Sequence, residues 1–115
     1  YRKHIMKTLG EQSASLGMIV QQKAPAENFV LHAQTLALVA GMALKAFEPD
    51  VTGGEAKPEV WSKWDDFSKR MNEFAAGTAA LAKVAQEGGM AAAQPLMKDA
   101  LTCKGCHDVF REKKK

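Results

Sequence analysis

Cys103, Cys106 and His107 are the residues of this chain whose types and spacing could do chemistry. In Cys103-Lys104-Gly105-Cys106-His107 they spell C-x-x-C-H, the pattern in which two thiols become thioethers on porphyrin vinyl groups and the adjacent imidazole ligates the iron. On a helix the two cysteines lie three residues apart on one face and His107 follows four after Cys103, so all three reach one flat ring. A redox dithiol or half a zinc site would use the same cysteines. The first normally accompanies a βαβ pattern, and no strand pattern is visible; the second wants four ligands, and His4 and His32 are remote in sequence. The motif therefore points to one covalently attached haem c.

The rest of the chain must position that group. With 115 residues it is long enough for one core and one domain. Haem attachment uses both cysteines, so no disulfide is expected, and packing and the cofactor must hold the fold. The net charge of +3 comes from 16 basic and 13 acidic residues. Part of the excess is the end Arg111-Glu112-Lys113-Lys114-Lys115, which reads as a solvated basic tail rather than a nucleic-acid surface, since that would need basic residues spread over a face with aromatics between them. No nucleic-acid partner is expected. No run of eighteen apolar residues is present, so no membrane span is expected either. The start at Tyr1, without an initiator Met or an apolar leader, fits a processed protein.

Composition rich in Ala, Lys, Glu, Leu and Met, with few β-branched runs, favours helices throughout. The first should run from Tyr1 to about Gln22, with Ile5, Met6, Leu9, Leu16, Ile19 and Val20 near helical spacing, before Lys23-Ala24-Pro25 interrupts it. Gly10 and Gly17 inside it suggest tertiary contacts or close approach by a flat ligand. A second helix is expected from about Ala26 to Ala46, with Phe29, Ala33, Leu36, Ala40 and Leu44 on one face and Val30, Leu38, Val39 and Met42 widening it. The stretch 47–57, with Pro49 and Gly53-Gly54, reads as a surface crossover.

The third helix is expected from about Pro58 to Ala85, carrying Val60, Trp61, Trp64, Phe67, Met71, Phe74, Thr78 and Leu81 in one stripe. Such a stripe is core, and a haem pocket draws on the same residue types, so Trp61 or Trp64 is a candidate pocket wall. Gly88-Gly89 ends it, and a fourth helix should span about Met90 to Lys113, with Pro95 delaying or kinking its start. Four helices of roughly 30 to 40 Å make an all-α, antiparallel, up-down-up-down four-helix bundle with the cofactor inside.

With the haem motif on the last helix of a bundle, the sequence resembles the class II c-type cytochromes, the cytochrome c prime family. The likeness rests on Tyr1-Arg2 with an apolar residue at position 6, the Lys23-Ala24-Pro25 break, Phe47 leading into Gly53-Gly54-Glu55-Ala56-Lys57-Pro58-Glu59-Val60-Trp61, and Cys103 to Arg111. Family members generally carry several residues before the Tyr-Arg pair, so this chain starts unusually close to it. The resemblance implies that His107 is the proximal iron ligand, that Cys103 and Cys106 are the thioether anchors, that Arg111 packs beside the proximal histidine, and that Arg2 meets a haem propionate. A guanidinium suits a carboxylate in any case.

Position 6 decides between functions. In the five-coordinate members that the sequence resembles, the matching residue is apolar and non-ligating. Here it is Met6, whose thioether, paired with His107, suits a six-coordinate electron-transfer haem of raised potential. Arg2 and Met6 are i and i+4, so one helix face could meet propionate and iron together. Met18 lies about 18 Å of helical rise away, too far to serve the same iron. Met18, Met42, Met71, Met90 and Met97 read as core filling. His4 points away from Met6, and His32 is not expected to ligate.

The leading expectation is thus a periplasmic carrier of single electrons with His107 and Met6 as axial ligands, working with redox partner proteins steered by Lys104, Arg111 and the lysine tail. The other is a five-coordinate protein that binds nitric oxide or carbon monoxide beneath a lid formed by Met6. An enzyme is not expected, since no histidine besides His107 is placed for distal acid-base chemistry. Relatives pair through their first two helices, and Leu31, Leu38 and Val39 could form such a homodimer surface or complete the core.

Overall fold

The computed structural model describes residues 1–48, 56–101 and 103–110. Helix α1 spans Arg2–Val20 and buries Ile5, Leu9, Leu16 and Ile19. It closes with a Schellman arrangement: the Gln22 amide donates to the Ile19 carbonyl at 2.9 Å and the Lys23 amide to that of Met18 at 2.9 Å. Gln22 takes φ +64° to allow this, a left-handed position more often given to glycine. A 3-10 turn at Ala26–Asn28 then leads into α2, Phe29–Phe47.

The buried residues of α2 are Phe29, Ala33, Leu36, Ala40, Ala43, Ala46 and Phe47. Four alanines in that stripe let neighbouring backbones come close, and α2 packs on both α1 and the long helix α4, Trp64–Ala93. The expected face is corrected at its edges. Ala43 and Phe47 take the place assigned to Leu44, and Leu38 and Met42 point outward instead of widening the stripe, at 72% and 47% exposure. The segment Ala26–Phe47 is long and apolar enough to cross a membrane, with a mean hydropathy of 1.4 over its most apolar window. The stripe just named is packed against α1 and α4, as in the core helix of a bundle.

The third arm begins as α3, Glu59–Ser62, and continues as α4, Trp64–Ala93. The expected single helix is interrupted at Lys63, which has φ −116° and ψ 43°. Phe67, Met71, Phe74, Thr78, Leu81 and Ala85 form the core stripe of α4 at spacings of four, three, four, three and four. Thr78 is fully buried, and its hydroxyl donates to the carbonyls of Phe74 and Ala75, each at 3.0 Å. That satisfies the one polar group in the stripe.

The chain turns where Gly88-Gly89 was expected to end a helix. Gly89 has φ +75° and ψ −170°, a conformation that needs glycine. Helical hydrogen bonding nevertheless resumes through Ala93. The fourth arm is not one helix from Met90 onward. A 3-10 turn at Gln94–Leu96, α5 at Met97–Ala100 and α6 at Cys103–Phe110 follow in succession. Pro95 has no N–H to give a longer helix, and Leu101 leaves the helical region at φ −96° and ψ 74°. The four arms form an all-helical four-helix bundle with the C-x-x-C-H motif on its last helix.

Candidate haem site

Helix α6 is anchored to the bundle by its last residue. The Phe110 ring stands edge-on to Phe67, with centroids 5.1 Å apart and planes at 82°. Phe67 also touches Phe47 at 5.1 Å and Trp64 at 5.6 Å, so one ring ties α2 and α4 to the motif helix. The Phe110 carbonyl accepts the Lys57 amide at 2.8 Å, which fastens the end of the crossover to the same place. Upstream of α6, a Cβ at Gly77 would lie 3.4 Å from the Ala100 Cα, so α4 and α5 approach closely there.

Between these anchors Cys103, Cys106 and His107 are half-buried, and both cysteines pack against the core. Burial pushes the Cys103 thiol up, opposed by a backbone hydrogen bond. Burial also raises Cys106, whose thiol is lowered by Arg70 and raised by Cys103 and Asp66. Two thiols and an imidazole on one short helix, apolar on their inner side, fit a covalently held porphyrin: the thiols would supply thioethers and His107 would supply a nitrogen ligand to the iron.

Helix α1 reaches the same aromatic cluster through Arg2. Arg2 is held between two aromatic rings, its Cζ 5.7 Å from the Phe47 centroid and 5.1 Å from that of Trp61. The Trp61 indole is fixed in turn, its Nε1–H donating to the Phe47 carbonyl at 2.7 Å. One Nη of Arg2 is buried. A cation kept in place this way suits a carboxylate at the mouth of the bundle. One turn further on, Met6 is half-buried and packs against the core edge. Met6, Gly10, Ser13 and Gly17 follow at spacings of four, three and four and so share a flank of α1. A Cβ at Gly10 or Gly17 would meet nothing within 4 Å among the described residues. Close packing of another described helix is therefore not the reason for these glycines.

The remaining expectations sort readily. His4 is exposed. His32 is half-buried, with Nδ1 2.7 Å from the Gln12 Oε1, so it links α2 to α1. Trp64 is half-buried against Phe67. Arg111 and the Lys113 to Lys115 tail lie outside the described residues, as does 49–55 of the crossover. Two contacts were not foreseen. The Phe47 and Trp61 clamp on Arg2 joins three separate elements and leaves no local signal. Arg70 lies over the Phe110 ring at 5.6 Å and binds Asp66 at 3.2 Å; the Asp66-Arg70 spacing of four was its only trace in the sequence.

The sequence matches the family model described as Cytochrome C' over residues 1–111. The chain belongs to the cytochrome c′ family. It is 36% identical to a cytochrome c′ of Pararhodospirillum photometricum, with 97% of this chain and 94% of that protein covered. A cytochrome c-556 of Agrobacterium tumefaciens is 29% identical, with 96% and 90% covered. The fold superposes on a ferrous variant of cytochrome c prime from Alcaligenes xylosoxidans with bound nitric oxide at a TM-score of 0.88 and 26% identity, covering 99% of this chain and 92% of that one. A cytochrome c′ carries haem c, and Cys103 and Cys106 are the two cysteines available to hold it.

Proposed function

We propose that the chain is a periplasmic haem protein whose distal face, at Met6, admits a small diatomic gas, nitric oxide or carbon monoxide. One observation carries this reading: the fold matches along nearly its whole length a cytochrome c prime solved with bound nitric oxide. Haem c, when attached, supplies an iron that can take a gas or exchange one electron. His107 would give the iron a nitrogen ligand, and Cys103 and Cys106 would fix the ring to α6. Met6 would border the gas site with an apolar, unbranched side chain that can yield without leaving the bundle. Arg2, steadied by Phe47 and Trp61, offsets propionate charge. The role is binding and electron exchange with redox partner proteins, not enzymatic turnover.

A second reading has its own observation. Met6 is a half-buried thioether one turn from Arg2, and a Met6 to iron bond would make the protein a six-coordinate electron carrier. Carbon monoxide added to the resting ferrous protein separates the two. Prompt binding to a high-spin species supports the gas-binding reading, and slow binding limited by displacement of a ligand refutes it.

The exposed residues Met18 on α1 and Leu31, Leu38 and Met42 on α2 support a homodimer through these two helices. Sedimentation over a range of concentrations tests it: a single monomer species at every concentration would contradict the pairing.

A further inference from the structure

Arg70 and Asp66 stand beside the attachment helix without being part of the C-x-x-C-H motif. Both lie on α4, one turn apart, with the Arg70 Nε donating to the Asp66 Oδ1 at 3.2 Å. The guanidinium also lies over the ring of Phe110 at 5.6 Å. Phe110 and Cys106 are i and i+4 on α6 and therefore share a face. The side chains of Arg70 and Asp66 are 37% and 48% exposed, so their fields are screened but not abolished.

We propose that Arg70 and Asp66 are opposed potential-setting residues for the haem carried on α6, Arg70 favouring the ferrous state and Asp66 the ferric. The inference rests on the haem reading above. A ferric haem bears one more positive charge than a ferrous one, so a fixed cation nearby disfavours oxidation and a fixed anion favours it. The electron comes from or goes to a redox partner protein or an electrode; no bond to Arg70 or Asp66 forms or breaks.

The test is spectroelectrochemical titration of the haem-loaded protein at low ionic strength. Arg70→Gln should lower the midpoint potential and Asp66→Asn should raise it. Each should change the ferrous to ferric ratio at fixed potential roughly threefold, about 28 mV at 59 mV per tenfold. Arg70→Lys should restore most of the loss, the double substitution should return close to the starting value, and added salt should shrink both shifts. A purely structural role for the pair predicts shifts of one sign or none, and either result overturns the proposal. If Arg70→Gln fails to fold, an unchanged or lowered potential in Asp66→Asn overturns it alone. The visible spectrum separates this failure from that of the haem reading: a starting protein that retains no haem after denaturation refutes covalent attachment, whereas normal haem with an unmoved potential refutes only the roles of Arg70 and Asp66.

Discussion

Phe67 is the residue through which the motif helix is held to the bundle, and its removal gives a sharp quantitative test. The ring is 1% exposed and meets Phe47, Trp64 and Phe110 at centroid distances of 5.1 to 5.6 Å. Phe67→Ala removes a fully buried side chain and leaves a cavity, a cost of about 3–5 kcal/mol. For 115 residues the unfolding entropy converts this into a fall of about 12–20 °C in Tm. Phe67→Leu keeps most of the apolar volume and loses chiefly the ring-to-ring geometry, about 1–2 kcal/mol or ~4–8 °C. Thermal unfolding followed by circular dichroism at 222 nm, on haem-loaded protein at one fixed concentration, measures both. A loss below about 5 °C for the alanine variant, or equal losses for alanine and leucine, would refute the reasoning that a packed aromatic cluster anchors α6.

Other substitutions probe single contacts. Trp61→Phe removes the indole N–H that binds the Phe47 carbonyl at 2.7 Å, and chemical denaturation should show a loss of about 1–2 kcal/mol with an unchanged m value. Gly89→Ala places a Cβ on a backbone with φ +75°, so the same assay should register a loss of about 1–3 kcal/mol. Leu38→Glu alters a residue that is 72% exposed. It should leave the stability of the dilute monomer within about 0.5 kcal/mol of the original while weakening self-association in sedimentation.

Much of the fold was legible because its pattern is periodic and repetitive. The stripe from Phe67 to Leu81 in α4 and the end of α1 before Pro25 follow from apolar spacing and a proline break that lie within a few residues of each other. The fourth arm was harder to read. Its apolar spacing suggests one helix, but Pro95 and the non-helical Leu101 divide it, and backbone breaks leave hydrophobic periodicity largely intact. The outward turn of Leu38 and Met42 was hidden for another reason. In a helix as apolar as α2, hydrophobicity alone does not mark the inner face, and the small residues Ala43 and Ala46 that pack inside carry a weak signal. At the site, Cys103, Cys106 and His107 were readable as a contiguous motif. Arg2 with Phe47 and Trp61, and Arg70 with Phe110, meet only through tertiary packing, which no local pattern encodes.

Under the gas-binding reading, Met6 covers the distal face without binding the iron. Absorption spectra of the reduced protein and of Met6→Ala, each before and after carbon monoxide, test it most directly. A non-ligating Met6 should give a high-spin ferrous spectrum in both, carbon monoxide binding in both, and binding to Met6→Ala faster by about tenfold, roughly 1.4 kcal/mol off the entry barrier. A low-spin resting spectrum that becomes high-spin only when Met6 is replaced would contradict it and make Met6 the sixth ligand.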